Sequence, residues 1–282
     1  MIRLRRTILY LPADKPRALQ KAATLPADGF IIDLEDAVAP AGKDDARQAA
    51  SKLLLEDAGK DVTLRINPQA TPWYELDVAV ARAADLDAIV LPKVRCAADV
   101  EKAAHATGHA VWPMIETPEG VLNAAPIAMA AAATGPAALI LGTNDLAAEL
   151  GVTPGANRQE LSFSLQRCVL AARAAGIDAI DGVFNHLDDA DGLTREAAAG
   201  RALGMAGKTV IHPRQIEPVN VAFSPSDEEV KEARRVVAAV KAAEASGAGV
   251  ATLDGRMVEA LHARSAAATI ARADTIRLRQ NP

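Results

Sequence analysis

Along the chain, short runs of apolar residues alternate with longer, alanine-rich stretches in which apolar positions recur at helical spacing. The runs predict strands over Ile8–Pro12, Phe30–Leu34, Thr63–Ile66, Ala88–Leu91, Val111–Ile115, Ala138–Leu141, Ala179–Val183 and Thr209–Ile211. They are almost uninterrupted, as expected of parallel strands covered on both faces. The stretches between them predict helices over Lys43–Leu55, Trp73–Ala84, Ala98–Thr107, Gly120–Ala133, Gln159–Ala175 and Arg195–Leu203, whose alanine content suits close packing against a sheet.

Eight strand–helix alternations before Phe223 predict an α/β fold closed as a (β/α)8 barrel over residues 1–223. An open doubly wound sheet is the alternative, but the Gly-x-Gly-x-x-Gly loop that often marks it is absent after the first strand. Beyond Phe223 the pattern changes. Ser224-Pro225-Ser226-Asp227-Glu228-Glu229 reads as a turn and helix cap before a long helix to about Ala245. Gly247-Ala248-Gly249 then breaks the chain, Val250–Leu253 and the turn Asp254-Gly255 follow, and a last helix is expected over Val258–Ala273. Residues 224–282 therefore form a C-terminal helical extension.

Half of the 282 residues are apolar, enough to bury the core of one large barrel. The net charge of −5 is spread along the chain, and no basic face is present to track a nucleic-acid backbone. Two cysteines, Cys96 and Cys168, make no disulfide framework and suit a reducing cytoplasm. The apolar run behind the basic start is too short for a signal peptide before Asp14 arrives. The uncharged stretch from Ala124 to Asp145 is broken by Pro126 and Gly135-Pro136, so it reads as helix plus buried strand and no membrane span is expected.

In a barrel of this kind the site gathers at the C-terminal ends of the strands. The residues there are Asp33-Leu34-Glu35-Asp36, Arg65-Ile66-Asn67, Lys93, Glu116, Thr143-Asn144-Asp145, Asn185-His186 and His212. Glu116 and Asp145 end adjacent strands, and two hard carboxylates with room for waters would hold Mg²⁺; spacing alone equally allows each to cap the helix after it. The pair His105/His109 precedes a strand, at the wrong end for chemistry, and reads as surface residues. Arg65 inside a strand demands an anion, either a substrate carboxylate or an internal partner among Asp33, Glu35 and Asp36. Asp36 is also a candidate to orient waters around the metal. Lys93 reads as an ion-pair partner rather than an imine former, and His212 and Asp181 as structural, hydrogen-bonded groups.

At these residues the sequence resembles the citrate lyase β-subunit and malyl-CoA lyase family, also called the HpcH/HpaI aldolase superfamily. The matching segments run from Arg6-Thr7-Ile8-Leu9-Tyr10-Leu11-Pro12 through Asp33-Leu34-Glu35-Asp36, Leu64-Arg65-Ile66-Asn67, Leu91-Pro92-Lys93-Val94 and Ile115-Glu116-Thr117-Pro118-Glu119-Gly120. They continue with Leu141-Gly142-Thr143-Asn144-Asp145, Gly207-Lys208-Thr209-Val210-Ile211-His212-Pro213 and Asp254-Gly255-Arg256-Met257-Val258-Glu259. The resemblance implies a TIM barrel, Mg²⁺ held by Glu116 and Asp145, and a substrate bound by Arg65 and Glu116 with Gly142 and Thr143. It also implies proton handling by a carboxylate near the C-terminus, supplied by a neighbouring subunit. Here that position is Glu259, one methylene longer than the aspartate of many relatives, and the sequence looks closest to the (3S)-malyl-CoA thioesterase branch.

The implied substrates are a CoA thioester and a small keto acid of the glyoxylate type, with Lys15 and Arg17 expected near the CoA phosphates. A homotrimer or hexamer is implied as well. The expected reaction on a 3-hydroxyacyl-CoA thioester is carbon–carbon cleavage, thioester hydrolysis, or both. Two other readings remain: an acyl-carrier-protein-dependent citryl lyase subunit, and a non-catalytic binding protein on the same barrel.

Overall fold

The eight apolar runs form eight parallel strands, β1 (Thr7–Pro12), β2 (Gly29–Asp33), β3 (Asp61–Arg65), β4 (Ala88–Leu91), β5 (Val111–Ile115), β6 (Ala138–Leu141), β7 (Asp178–Asp181) and β8 (Gly207–Val210). In the computed structural model, which describes residues 3–51 and 59–280, each strand pairs with the next and β8 returns to β1 through Ile8↔Thr209. The barrel expected from the alternation is therefore closed, and the open-sheet alternative is excluded.

Two strands begin two residues before the apolar run does. Asp61 pairs with Gly29, and Lys208 pairs with both Thr7 and Asp181. Charged residues are admitted because each has a buried counter-charge: Arg5 reaches Asp61 at 2.9 Å, and Lys208 reaches Asp181 at 3.2 Å. Arg5 also contacts Asp178 at 3.1 Å and lies over the Trp112 ring, while Arg6 contacts Asp28 at 2.8 Å. The Arg5 and Arg6 pairs gather at the strand N-termini, at the end of the barrel opposite the site, whereas Lys208 meets Asp181 at the C-terminal end of β7. Strand β7 stops at Asp181 rather than Val183, releasing Val183 and Asn185 to the mouth.

The helices differ from expectation mostly at their ends. Helix Ala190–Ala202 starts five residues before the expected Arg195, because the Asp189 side chain caps it by accepting from Gly192 N. The stretch expected as Gly120–Ala133 divides at Asn123 into Pro118–Leu122 and Ala124–Thr134. Helix Lys43–Ala50 covers the start of the segment expected to reach Leu55; residues 52–58 lie outside the described residues. Among the described residues, no helix is long and apolar enough to cross a membrane.

Two compact units make up the chain, Arg5–Phe223 and a second built from Ser224 onward with the residues before Arg5. In the second, helix Asp227–Ala245 opens with a capping box between Ser226 and Glu229 and packs against helix Ala260–Gln280. The last helix was expected from Val258, but Arg256–Glu259 is a strand, β10, antiparallel to β9 (Val250–Leu253). Asp254 and Gly255 both have positive φ, at 50° and 75°, the signature of the tight hairpin turn that matches strand twist. Arg235 holds the turn by contacting both Asp254 carboxylate oxygens at 2.7 Å.

Candidate active site at the barrel mouth

The C-terminal ends of the strands enclose a cavity of about 300 Å³ lined by Tyr10, Asp33, Asp36, Arg65, Met114, Glu116, Gly142, Thr143, Asn144, Asp145, Val183 and Asn185 among others. The structure thus brings together Arg65, Asp36, Glu116, Gly142, Thr143 and Asp145 from the sequence-derived set.

Glu116 follows β5 and is 2 % exposed. It does not cap the next helix, because the Thr117 side chain does so by accepting from Gly120 N. Instead Glu116 Oε1 accepts from Lys93 N at 2.7 Å. Lys93 adopts a left-handed backbone, φ 55°, and its ammonium contacts both Asp145 and, at 3.7 Å, Glu116. Burial pushes the Glu116 carboxyl up to about 7, against the pull of Lys93. Asp145 stands in the first turn of helix Thr143–Leu150, where the helix dipole favours a negative charge while its oxygens still face the cavity. Gly142 makes this arrangement possible, since a methyl group there would overlap Glu116 Oε2 and Cβ.

The donor set fits a hard divalent cation: two carboxylates on one cavity, with water and substrate oxygens needed to complete the shell. Among the described residues, no three His, Cys, Asp or Glu side chains cluster into a full ligand set of their own.

Arg65, at the end of β3, carries the internal ion pair allowed by the sequence. Its Nε and Nη2 donate to the two oxygens of Asp33 at 2.7 and 2.5 Å, and Nη1 lies 2.7 Å from Glu35 Oε2. Three of the five guanidinium N–H groups are thus committed. A further Nη1 contact reaches Met114 Sδ at 4.0 Å, and the guanidinium lies over the Tyr10 ring. Burial pushes the Glu35 carboxyl up, Arg65 opposes it, and the neighbouring Asp36 and Glu116 carboxylates add to the push. Asp36 is mostly exposed and sits 3.8 Å from Arg65 Nη1.

The loop bearing Glu35 and Asp36 is held from both sides. The Asp33 carboxylate accepts from Glu35 N at 2.8 Å and Ala37 N at 3.2 Å. Behind it, the buried Lys43 ammonium donates to the carbonyls of Leu34 and Glu35 and to Asn67 Oδ1, at 2.7 to 2.8 Å. Sequence reading missed Lys43 and Tyr10 as site groups, and it named Asn144 and Asn185 at the mouth without their amide pairing, in which Asn185 Nδ2 donates to Asn144 Oδ1 at 2.9 Å. None stands out in a pattern search, because each matters only through a neighbour distant in sequence.

Asp181 is fully buried between Arg158, at 2.8 and 3.0 Å, and Lys208. Burial alone would raise its carboxyl, but the two cations outweigh that and hold it below the ordinary range. His212 Nδ1 accepts from Arg214 N at 3.1 Å. Both groups are the hydrogen-bonded elements expected. His109 departs from expectation, being half-buried with Nε2 2.8 Å from Ala81 O. Lys15 and Arg17 follow the C-terminal end of β1 and are exposed, Lys15 pairing with Asp14 at 3.1 Å. Glu259 ends β10 in the second unit, where its backbone N–H donates to His262 Nδ1 at 3.2 Å.

Comparison with known proteins adds an independent line. The HpcH/HpaI aldolase/citrate lyase family profile matches residues 6–213. A (3S)-malyl-CoA thioesterase of Cereibacter sphaeroides is 46 % identical, the match covering 96 % of this chain and 95 % of that protein. A citrate lyase subunit beta of Leuconostoc mesenteroides subsp. cremoris is 36 % identical over 91 % of this chain and 89 % of its own. Among solved structures, CitE from Mycobacterium tuberculosis in complex with magnesium, acetoacetate and coenzyme A superposes with a TM-score of 0.81 at 33 % identity, covering 96 % of this chain and 98 % of that one.

Proposed function

The chain belongs to the HpcH/HpaI aldolase/citrate lyase family, and from that premise we propose that it is a Mg²⁺-dependent enzyme acting on a 3-hydroxyacyl-CoA thioester of the (3S)-malyl-CoA type. The observation that carries this reading is the meeting of Glu116, Asp145 and Arg65 on one cavity at the barrel mouth. Magnesium on a relative's solved structure, together with acetoacetate and coenzyme A, supports the same assignment.

Glu116 and Asp145 would hold the cation, which supplies Lewis-acid polarisation of the substrate oxygen beside the carboxylate. Arg65 offers its uncommitted N–H groups to that carboxylate, and Asp33 fixes the plane of the guanidinium. In carbon–carbon cleavage the hydroxyl proton leaves, the bond from the carbinol carbon to the thioester α-carbon breaks, and the α-carbon takes up a proton. In hydrolysis, water adds to the thioester carbonyl and the thiol leaves. Asp36, which lines the same cavity, would orient water there.

We assign the proton or water step to Glu259, reaching the mouth of a neighbouring copy in a homotrimer or hexamer. Light scattering should give a mass of three or six chains, and a fully active monomer would contradict this assignment. Thioester hydrolysis is the favoured outcome, supported by the thioesterase relative and by the longer side chain at this position. An added methylene moves the carboxylate by on the order of an ångström, a displacement that can cost about a hundredfold in one reaction channel. Glu259→Asp is therefore expected to shift the ratio of free thiol to glyoxylate formed from malyl-CoA toward glyoxylate, and Glu259→Gln to depress both. Full activity in Glu259→Gln with an unchanged ratio in Glu259→Asp would remove Glu259 from the chemistry.

Gly142→Ala tests the metal pair without touching a ligand. The added methyl overlaps Glu116, and overpacking of this kind costs about 1–3 kcal/mol. Mg²⁺ affinity should fall by at least about fivefold. Unchanged affinity would show that Glu116 is not held as described.

Activity of the purified single chain on CoA thioesters separates this reading from that of an acyl-carrier-protein-dependent subunit, which the citrate lyase relative keeps in view. The gathered carboxylates and arginine speak against a purely binding role.

A further inference from the structure

Tyr10 stands on β1 and lines the mouth cavity together with Arg65 and Met114. The Arg65 guanidinium lies over its ring, with Cζ 4.9 Å from the centroid. The side chain crosses the barrel, so that the hydroxyl meets Met114 on β5. Among the described residues that thioether, 3.9 Å from the oxygen, is the hydroxyl's one hydrogen-bond partner. Sulfur is a weak acceptor, and a sheltered hydroxyl left to it counts against folding. Phenylalanine would make the same stack under Arg65 without that cost. By contrast, the Thr209 hydroxyl on the same cavity donates to Asp181 O at 3.0 Å, and Asn185 Nδ2 donates to Asn144 Oδ1 at 2.9 Å.

Arg65 Nη1 approaches the same sulfur, at 4.0 Å. Two donors from different strands, one charged and one neutral, thus converge on one weak acceptor in the cavity wall. Donors that share a single atom lie within the span of one carboxylate, whose two oxygens accept from separate groups. Burial pushes the ionisation of the phenol above its ordinary range, so the hydroxyl keeps its proton and donates. We propose that Tyr10 is a substrate-binding residue whose hydroxyl donates to the carboxylate held by Arg65, replacing the thioether contact with a charge-assisted hydrogen bond. The ring and the oxygen then have separate tasks: the ring supports the face of the guanidinium, and the hydroxyl selects for an acid group. The inference rests on the proposed function, since it takes Arg65 to receive the substrate carboxylate.

The test is Tyr10→Phe, which keeps the ring and removes only the oxygen. Wild type and variant are compared by calorimetric titration of Mg²⁺ alone, of glyoxylate in Mg²⁺, and of glyoxylate with acetate as competitor, and by melting temperature. Tyr10→Phe should bind Mg²⁺ within about twofold of wild type and melt no lower. It should bind glyoxylate about tenfold or more weakly, the scale of a lost hydrogen bond to a charged group. Acetate has the carboxylate and no oxo oxygen, so its affinity should fall by the same factor. Three results would overturn the assignment while leaving the proposed function standing: glyoxylate affinity within about twofold of wild type, a loss confined to glyoxylate, or a loss that comes with weaker Mg²⁺ binding and a lower melting temperature. Absence of Mg²⁺-dependent glyoxylate binding in both proteins would overturn the proposed function, and this inference with it.

Discussion

Arg65→Lys should lower kcat/KM by about a hundredfold or more, equivalent to about 3 kcal/mol of transition-state stabilisation. Lysine keeps the positive charge, so Asp33 and Glu35 are not left beside an uncharged residue; what is lost is the planar fork. Asp33 now receives two parallel N–H bonds while a third group reaches Glu35 and the remainder stay available to a substrate carboxylate. A single ammonium has three donors and cannot serve both internal carboxylates and the substrate in that geometry. Melting temperature measured alongside shows whether the fold is retained. A folded variant within about threefold of wild type would reduce Arg65 to an internal ion pair.

Asp145→Asn should weaken Mg²⁺ binding by at least about tenfold and turnover by about a hundredfold, the scale on which removing one electrostatic group at a reacting oxygen is felt. The side chain keeps its shape and its place in the first turn of helix Thr143–Leu150, but one of two anionic donors becomes a neutral amide. Lys93, which now contacts both carboxylates, is then left to Glu116 alone and competes more strongly for it. Titration of Mg²⁺ with the same affinity as wild type, together with full activity, would show the metal assignment to be wrong.

The barrel was legible because its signal is repetitive: β4, β5 and β6 fall on the residues expected from unbroken apolar runs. Periodicity failed where charge is admitted to a strand. Asp61 and Lys208 read as breaks, yet each pairs within the sheet because Arg5 and Asp181, far away in sequence, neutralise it. The end of the hairpin strand, Val258 and Glu259, was assigned to the helix after it because Val258 suits either state, although the turn Asp254-Gly255 before it was legible. The mouth residues could be named from strand ends, but not their connections. Nothing local to Arg65 distinguishes an internal partner from a substrate, and nothing local to Lys43 tells that its ammonium holds the loop of Glu35.

Product analysis of the purified chain with (3S)-malyl-CoA, with and without EDTA, tests the central claim most directly. The account predicts Mg²⁺-dependent turnover that releases free CoA and malate, with glyoxylate and acetyl-CoA as the products of any competing cleavage. Turnover that EDTA leaves unchanged, or no reaction with this or any related 3-hydroxyacyl-CoA thioester in the presence of Mg²⁺, would contradict it.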